Sequence, residues 1–387
     1  MPSGVSGVRG PTAAGYASFA LLGSTGLLVP SLVRAIENDF GQSDAGIGLL
    51  YFLGAAGYIL GSYGGGMLTG RAQRKTILLV AVVLVASALG LQAATSSWTL
   101  FLAATWARGL GSGALEGGIN ALFLDLYPVA RGRALSLIHL FFSLGALGSP
   151  LIVGFLTDGG IRWQLLFLVA AVLWVGFGVF FTAIDVPSGP AAAGTGRTWR
   201  LRAPPSLVLL GVAIACYVAS ELGVSNWLVR FLEVAPLSVA TFGLSLFWGG
   251  LTLGRLLSAV VADRFDHVRF ATISTLVASS ALVGAVLVPS IPVSIALFGL
   301  VGFAFGPIYP LIVAIGGELF PGRSSSVGGF LAGTSVVGSV IYPPVVGLIS
   351  VSAGLPVAMI GTALLGFGCA AALVLASNLL GRRQPAL

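Results

Sequence analysis

The stretch Arg108–Arg131, RGLGSGALEGGINALFLDLYPVAR, carries two signals at once. Its first half lies inside an apolar run, Trp98–Leu126, that is long enough to cross a bilayer and yet holds an Arg, a Glu and an Asn. Charged groups at that depth cost roughly 2.5–3.5 kcal/mol each on insertion scales and usually face a bundle interior or a watery cavity. At helical spacing Glu116 and Asn120 share a face, and Arg108 lies two turns before Glu116 on roughly the same side. The glycines between them admit a close neighbouring helix. The helix therefore reads as one wall of a polar pathway. The second half ends in Asp125-Leu-Tyr-Pro128-Val-Ala-Arg131, which is echoed 193 residues later (318 − 125) by Glu318-Leu-Phe-Pro321-Gly-Arg323.

The same offset carries Gly57 to Gly250, Gly61 to Gly254 and Arg71 to Arg264. One shift holding at separate places argues for a duplicated unit. Apolar runs occur at about 14–34, 46–68, 76–95, 98–126, 134–157, 163–184, 206–232, 238–262, 269–288, 292–316, 325–350 and 354–380. Most approach or exceed the roughly 20 residues a transmembrane helix requires. Between the sixth and seventh, Asp185–Pro205 has linker composition, with Pro187, Ser188, Gly189, Pro190, three Arg and Pro204-Pro205. The expectation is an all-α membrane protein with an N-terminal six-helix bundle over 1–184, a linker over 185–205 and a C-terminal six-helix bundle over 206–387. Parallel repeats of this kind are associated with rocking of two halves around a central site, the mechanism of alternating access.

Composition agrees. Of 387 residues, 57% are hydrophobic and 8% charged, and the mean hydropathy is +1.02. A typical soluble domain is about 25% charged. The basic excess (19 Lys+Arg against 12 Asp+Glu) is spread over short loops and is not a nucleic-acid signature. Cys216 and Cys369 lie in apolar runs and form no disulfide or metal pattern, so neither a metal nor a cofactor is expected. The first run follows a short polar leader without a clean cleavage site and reads as a retained helix. Arg and Lys concentrate in the even-numbered loops and both tails, as Arg9, Arg71, Arg74, Lys75, Arg131, Arg133, Arg197, Arg264, Arg323, Arg382 and others. The positive-inside rule then puts both termini in the cytoplasm.

With those residues in view, the chain resembles the major facilitator superfamily. Gly66-Met-Leu68-Thr-Gly70-Arg71-Ala-Gln73-Arg74-Lys75 is similar to that superfamily's loop motif G-x-L-x-D-R-x-G-R-K, with Gly70 for the usual Asp and Gln73 for the usual Gly. The second copy, Gly254-Arg255 to Asp263-Arg264, keeps the Asp. Arg108 with its glycines resembles the superfamily's fourth-helix pattern. Within it, the chain looks most like the fucose permease-like sugar:proton symporters. Gly109-Leu-Gly111, Leu115-Glu116 and Asn120 match that branch's fourth helix, less one residue in the glycine spacing. Tyr217-Val218 with Glu221 matches its seventh, Ile308-Tyr309-Pro310 its tenth, and Leu140–Ala146 its fifth, with His139 at a sugar-binding Gln and Phe142 at an Asn. The branch's proton-carrying first-helix Asp falls on Gly26, a departure that bears on coupling. The resemblance implies a transporter of the cytoplasmic (inner) membrane, monomeric and surrounded by lipid, moving a small polar solute with or without protons.

The expected solute-binding residues are Glu116, Asn120, His139, Glu221, Asn226, Trp227 and Tyr309. Glu116 and Glu221 are the expected proton-coupling groups, and Arg108 is the intramembrane charge partner. Direct pairing of Arg108 with Glu116 is strained, since ~12 Å separates them along the axis. Carboxylates and amides beside an aromatic platform suit a sugar, which has hydroxyls at its rim and C–H faces. Pro307 and Pro310 mark a bend at Tyr309. Arg71, Arg74, Asp125, Arg131, Asp263, Arg264, Glu318 and Arg323 form an expected cytoplasmic gate, a latch on the inner side, while His267 reads as a solvated loop residue. An exporter of drug-like or amphipathic compounds in the same fold is the alternative, and an uncoupled sugar facilitator stays open because of Gly26. The chain has no G-x-x-x-x-G-K-[ST] for nucleotide drive and no H-E-x-x-H, so an enzyme is not expected.

Overall fold

In hydrocarbon every backbone N–H and C=O must be satisfied within the segment, which leaves the helix as the way to cross for a chain of long apolar runs. The computed structural model describes residues 6–68, 74–187, 204–320 and 324–381, and among them the regular elements are all helical. They are α1 (Ser6–Gly26), α2 (Leu28–Phe40), α3 (Asp44–Leu68), α4 (Arg74–Ala94), α5 (Trp98–Leu126), α6 (Arg131–Asp158) and α7 (Trp163–Thr182). After the linker come α8 (Pro205–Phe231), α9 (Leu237–Val261), a 3-10 turn (Ala262–Arg264), α10 (His267–Leu287), α11 (Ile291–Phe305), α12 (Ile308–Leu319), α13 (Ser324–Ala353) and α14 (Leu355–Gly381). Among the described residues, eleven stretches are long and apolar enough to span a membrane, taking α1 with α2 and α11 with α12 as single spans. The twelfth run is α5, 29 residues long, whose Arg108, Glu116 and Asn120 lower its hydropathy. Large apolar side chains stay exposed along the helices, such as Val172 (62%), Val179 (66%) and Leu364 (62%), as contact with lipid requires.

Two runs break, each for a proline reason. A proline lacks the N–H that would bond four residues back, and its ring crowds that carbonyl. Pro30 acts on Gly26, where α1 ends, and Pro310 acts on Gly306, between α11 and α12. The first run is also longer than the sequence suggests, extending from Ser6 to Phe40, so Arg9 lies within α1 and not in a leader.

The chain gathers into two compact units, Met1–Gly41 with Leu50–Trp199, and Gln42–Leu49 with Arg200–Leu387. The division in the second half of the chain falls inside the expected linker, of which 188–203 lies outside the described residues. It departs from a simple six-plus-six cut at Gln42–Leu49, and the reason is local. Asp44 takes Arg230 at 3.0 Å and accepts the Ser350 hydroxyl, and a Cβ on Gly48 would meet the Pro344 Cα at 2.9 Å.

Within the first unit α1 packs on α6, and α4 packs on both α5 and α7. Within the second, α8 packs on α13 and α14, α9 on α11, and α10 on α11 and α14. The tightest approaches are built on glycine. Between α3 and α5, a Cβ on Gly57 would lie 2.2 Å from the Trp106 carbonyl oxygen, on Gly61 1.9 Å from that of Leu110, on Gly109 2.2 Å from that of Gly54, and on Gly113 1.9 Å from that of Tyr58. Between α9 and α11, the same positions displaced by 193 do the same: Gly250 against Gly299 (2.3 Å), Gly254 against Phe303 (2.0 Å), Gly302 against Phe247 (2.0 Å) and Gly306 against Leu251 (2.5 Å). Backbone against backbone leaves no room for a side chain at any of the eight.

Candidate functional site

Polar groups inside the first unit are carried by α5 and met by α1 and α3. Arg108 and Glu116 do not pair with each other. The Arg108 Nη1 donates to the Thr25 carbonyl oxygen at 3.1 Å. That carbonyl sits in the last turn of α1, one residue before the Gly26 carbonyl that Pro30 leaves without its donor, so the guanidinium caps the end of a broken span. Glu116 instead accepts a hydrogen bond from the Tyr58 hydroxyl of α3. One turn further along α5, the Asn120 Oδ1 is buried without a hydrogen-bond partner. An unpaired buried acceptor costs the desolvation of that group, and such atoms are uncommon in native folds. Glu116 and Asn120 thus form a polar step on one helix face, as the spacing predicts, and Tyr58 is a member that the spacing of α5 does not reveal.

His139 lies on α6, exposed, with its ring edge-on to Phe19 of α1 at 5.2 Å between centroids, and its backbone carbonyl accepts the Ser143 hydroxyl.

In the second unit the polar groups come from α8, α9 and α12. Tyr217 and Glu221 are one turn apart on α8, and the Tyr217 hydroxyl donates to one Glu221 carboxylate oxygen. The other faces the Arg255 Nη2 of α9 at 3.8 Å, an ion pair longer than a hydrogen bond. Arg255 also interacts with the hydroxyls of Tyr217 and Tyr309. The Tyr217 ring stands 5.6 Å from that of Phe305 and 6.5 Å from that of Tyr309, on either side of the α11–α12 break. Exposure divides the pair unevenly. The Glu221 side chain is 11% exposed, that of Arg255 37%. The larger exposed share of this pair belongs to the Arg255 side chain, which in the sequence reads as part of the copied Gly-Arg loop motif.

Two expected members of the second cluster fare differently. Asn226 is half-buried. Trp227 has no exposed surface, so in this conformation it is a packing residue and not an aromatic platform for a solute. The tyrosines 217 and 309 are the rings that border the charged groups.

Of the eight expected gate residues, Arg74, Asp125 and Glu318 are found in ion pairs, each within its own unit. Arg74, only 4% exposed, pairs with Asp125 at 2.5 Å. The offset of 193 carries Arg74 to His267 and Asp125 to Glu318, and those two residues also meet, His267 Nδ1 to Glu318 Oε1 at 2.7 Å. His267 is therefore not merely solvated: it opens α10 and holds the end of α12. Asp263 and Arg264 lie exposed in the 3-10 turn. Arg131 begins α6. Arg71 and Arg323 lie outside the described residues.

Comparison with known proteins places these features in a lineage. The family profile described as "Major Facilitator Superfamily" matches residues 14–259 and 206–386. Among curated relatives, the chain is 24% identical to the "Uncharacterized MFS-type transporter YfkL" of Bacillus subtilis, over 92% of this chain and 95% of that protein. It is 25% identical to a "Glucose/galactose transporter" of Brucella abortus, over 86% and 85%. Among solved structures, a bacterial homologue of the human lysosomal transporter Spinster matches with a TM-score of 0.81 at 18% identity, covering 98% of each chain. The E. coli fucose:proton symporter FucP matches with a TM-score of 0.65 at 18% identity, covering 96% of this chain and 99% of that one.

Proposed function

As the chain belongs to the Major Facilitator Superfamily and is a membrane-embedded transporter, not an enzyme, we propose that it is a secondary carrier of a small polar solute, a sugar or sugar derivative, working by alternating access. The observation that carries this reading is the Glu116–Asn120 step. A carboxylate with one hydroxyl donor already in place and, one turn away, a buried amide oxygen with no partner is a surface short of O–H donors. Hydroxyl groups of a polyol fill that need, whereas an apolar drug-like compound leaves Asn120 unpaired. The Brucella glucose/galactose transporter, related along most of its length, supports the same solute class. In this reading the first unit's solute contacts are Glu116, Asn120 and Tyr58; those of the second unit are Glu221, Arg255 and Tyr309, with the buried Tyr217 holding Glu221.

Glu116 is the proposed proton-coupling group, and Glu221, held by Arg255, is the second candidate. The chain sits in the cytoplasmic membrane with both termini inside, in keeping with the loop arginines. The Arg74–Asp125 and His267–Glu318 pairs then lie on the cytoplasmic side, where they fasten each unit's helices as part of an inner gate. Gly26 favours a second reading, an uncoupled facilitator: it stands where the symporter branch has its acid, and nothing approaches the position of its missing Cβ within 4 Å.

Uptake by proteoliposomes tests both. Radiolabelled glucose or galactose should enter faster with an inward proton gradient, and Glu116→Gln should abolish the pH dependence while folded protein persists. Uptake that ignores pH in the unmodified chain selects the facilitator. Failure of any sugar to enter, together with dye extrusion, overturns the sugar reading.

A further inference from the structure

The two arginines within the polar clusters differ in what they have left to offer. Arg108 is partly engaged: its Nη1 is spent on the Thr25 carbonyl at the α1 break, and its Nε is buried without a partner and without open surface. Arg255 is only loosely engaged. It stands 3.8 Å from the Glu221 carboxylate, beyond hydrogen-bond length, and keeps 37% of its side chain exposed. Its position in α9, six residues before the end of the helix at Val261, allows the side chain to reach the Glu221 level of α8. A guanidinium carries five N–H donors in a planar fork and cannot shed its charge, so the long contact to Glu221 and the tyrosine hydroxyls beside it still leave donors over. A permanent cation kept at membrane depth with part of its surface open points to a water-filled pathway and to a ligand there. Beside it stands the half-buried Tyr309 ring, which suits the C–H face of a small organic molecule, while the fully buried Tyr217 holds Glu221 from the core side.

We propose that Arg255 is the anchor for an anionic group on the transported solute, which makes the preferred cargo a small hydroxylated carboxylate, such as a sugar acid, over the neutral sugar. The inference rests on the cluster being part of the solute site, as set out above. Glu221 is the resident counter-ion that the solute's carboxylate replaces on the guanidinium fork. A carboxylate and Arg form two parallel N–H···O bonds, a geometry that the present Glu221 contact does not reach. Glu221 and the solute compete for one cation, and protonation of Glu221, with Tyr217 still beside it, relieves the competition. One proton then accompanies each anion and the site's net charge is unchanged.

The test uses the purified full chain and four probes, D-glucose, D-gluconate, L-lactate and inorganic phosphate, with binding read by calorimetry and by ligand-induced thermal shift. D-gluconate should bind more tightly than D-glucose. Arg255→Gln should weaken gluconate by about 10- to 100-fold, the range of a charge-assisted hydrogen-bond pair, and weaken glucose by clearly less. Glu221→Gln should tighten gluconate, because the competitor is gone, and should remove the proton taken up on binding. A purely structural ion pair predicts the opposite for Glu221→Gln: lower stability and no gain in anion affinity. Unliganded melting temperatures of both variants, and Arg255→Lys as a charge-retaining control, separate loss of binding from loss of fold. Equal affinity for glucose and gluconate, unaltered by Arg255→Gln, overturns the anion inference and leaves the sugar carrier standing. Binding of none of the four probes overturns both.

Discussion

The two units share a scaffold and diverge in their chemistry. Four glycine-to-carbonyl contacts between α3 and α5 recur between α9 and α11 at a constant offset of 193, and so does the ion pair that ties Arg74 to Asp125 and His267 to Glu318. The polar interiors do not repeat. The same offset carries Arg108 to Val301, Glu116 to Tyr309, Tyr58 to Leu251 and Ser62 to Arg255. A backbone contact of about 2 Å from a missing Cβ tolerates no side chain, so those positions had no freedom to drift. Groups proposed to meet a solute answer to that solute, so each unit's polar cluster was free to take its own chemistry.

The scaffold half of the comparison predicts the largest effect. Gly113→Leu forces a side chain into the Tyr58 carbonyl, 1.9 Å from the Cβ position, and Gly306→Leu does the same at Leu251, 2.5 Å away. Overpacking of this kind costs ~1–3 kcal/mol or more, and here the obstacle is backbone, which cannot rotate aside. Both variants should lose the monodisperse peak in detergent, Gly113→Leu more completely. Gly64→Leu, whose Cβ position is open, is the control and should behave as the unmodified chain. Equal tolerance at Gly113 and Gly64 would break the argument that the repeat is held by close approach.

Next in size is Arg108. Arg108→Ala strips a charged donor from the Thr25 carbonyl at the α1 break, a contact worth ~1.5–3 kcal/mol for a hydrogen bond to a charged group. The melting temperature should fall. Arg255→Ala should lower it less, since its ion pair is longer and partly exposed. The reverse order would mean that Arg255 is the structural cation and Arg108 the available one.

Much of this was legible in the sequence, and the gaps have physical causes. Hydropathy marks the twelve runs because lipid imposes the same demand on each. Pro307 and Pro310 announce the α11–α12 break. Pro30 announces the α1–α2 break equally well, but the run around it is so apolar that it reads as one helix. Gly109 and Gly302 form a repeat pair hidden by their neighbours, since Arg108 and Val301 share no chemistry. Tyr58 looks like one more aromatic in an apolar helix, and only the approach of α3 to α5 reveals that its hydroxyl meets Glu116. Arg255 belongs by sequence to a loop motif, although its side chain reaches a site on α8. Trp227 goes the other way: it stands beside Asn226 in sequence, yet helical geometry turns it fully into the core.

The smallest predicted difference lies in the repeated ion pair, where geometry is conserved and burial is not. Arg74 is 4% exposed and Asp125 40%, while His267 and Glu318 are 16% and 59% exposed. Breaking the first pair by Asp125→Asn leaves a buried guanidinium short of its counter-charge, which is costly. Breaking the second by Glu318→Gln removes a carboxylate that is itself 59% exposed, and exposed pairs are worth ~0–1 kcal/mol. A double-mutant cycle on thermal stability should therefore give a larger coupling for Arg74–Asp125 than for His267–Glu318. Replacing His267 by Arg restores a permanent cation at the same position and should raise the second coupling without making the two equal, because Glu318 stays the more exposed partner. If the couplings are already equal, burial is not what separates the two units at this end, and the accessibility of cytoplasmic-side thiol labels after Asp125→Asn and after Glu318→Gln should then also be equal.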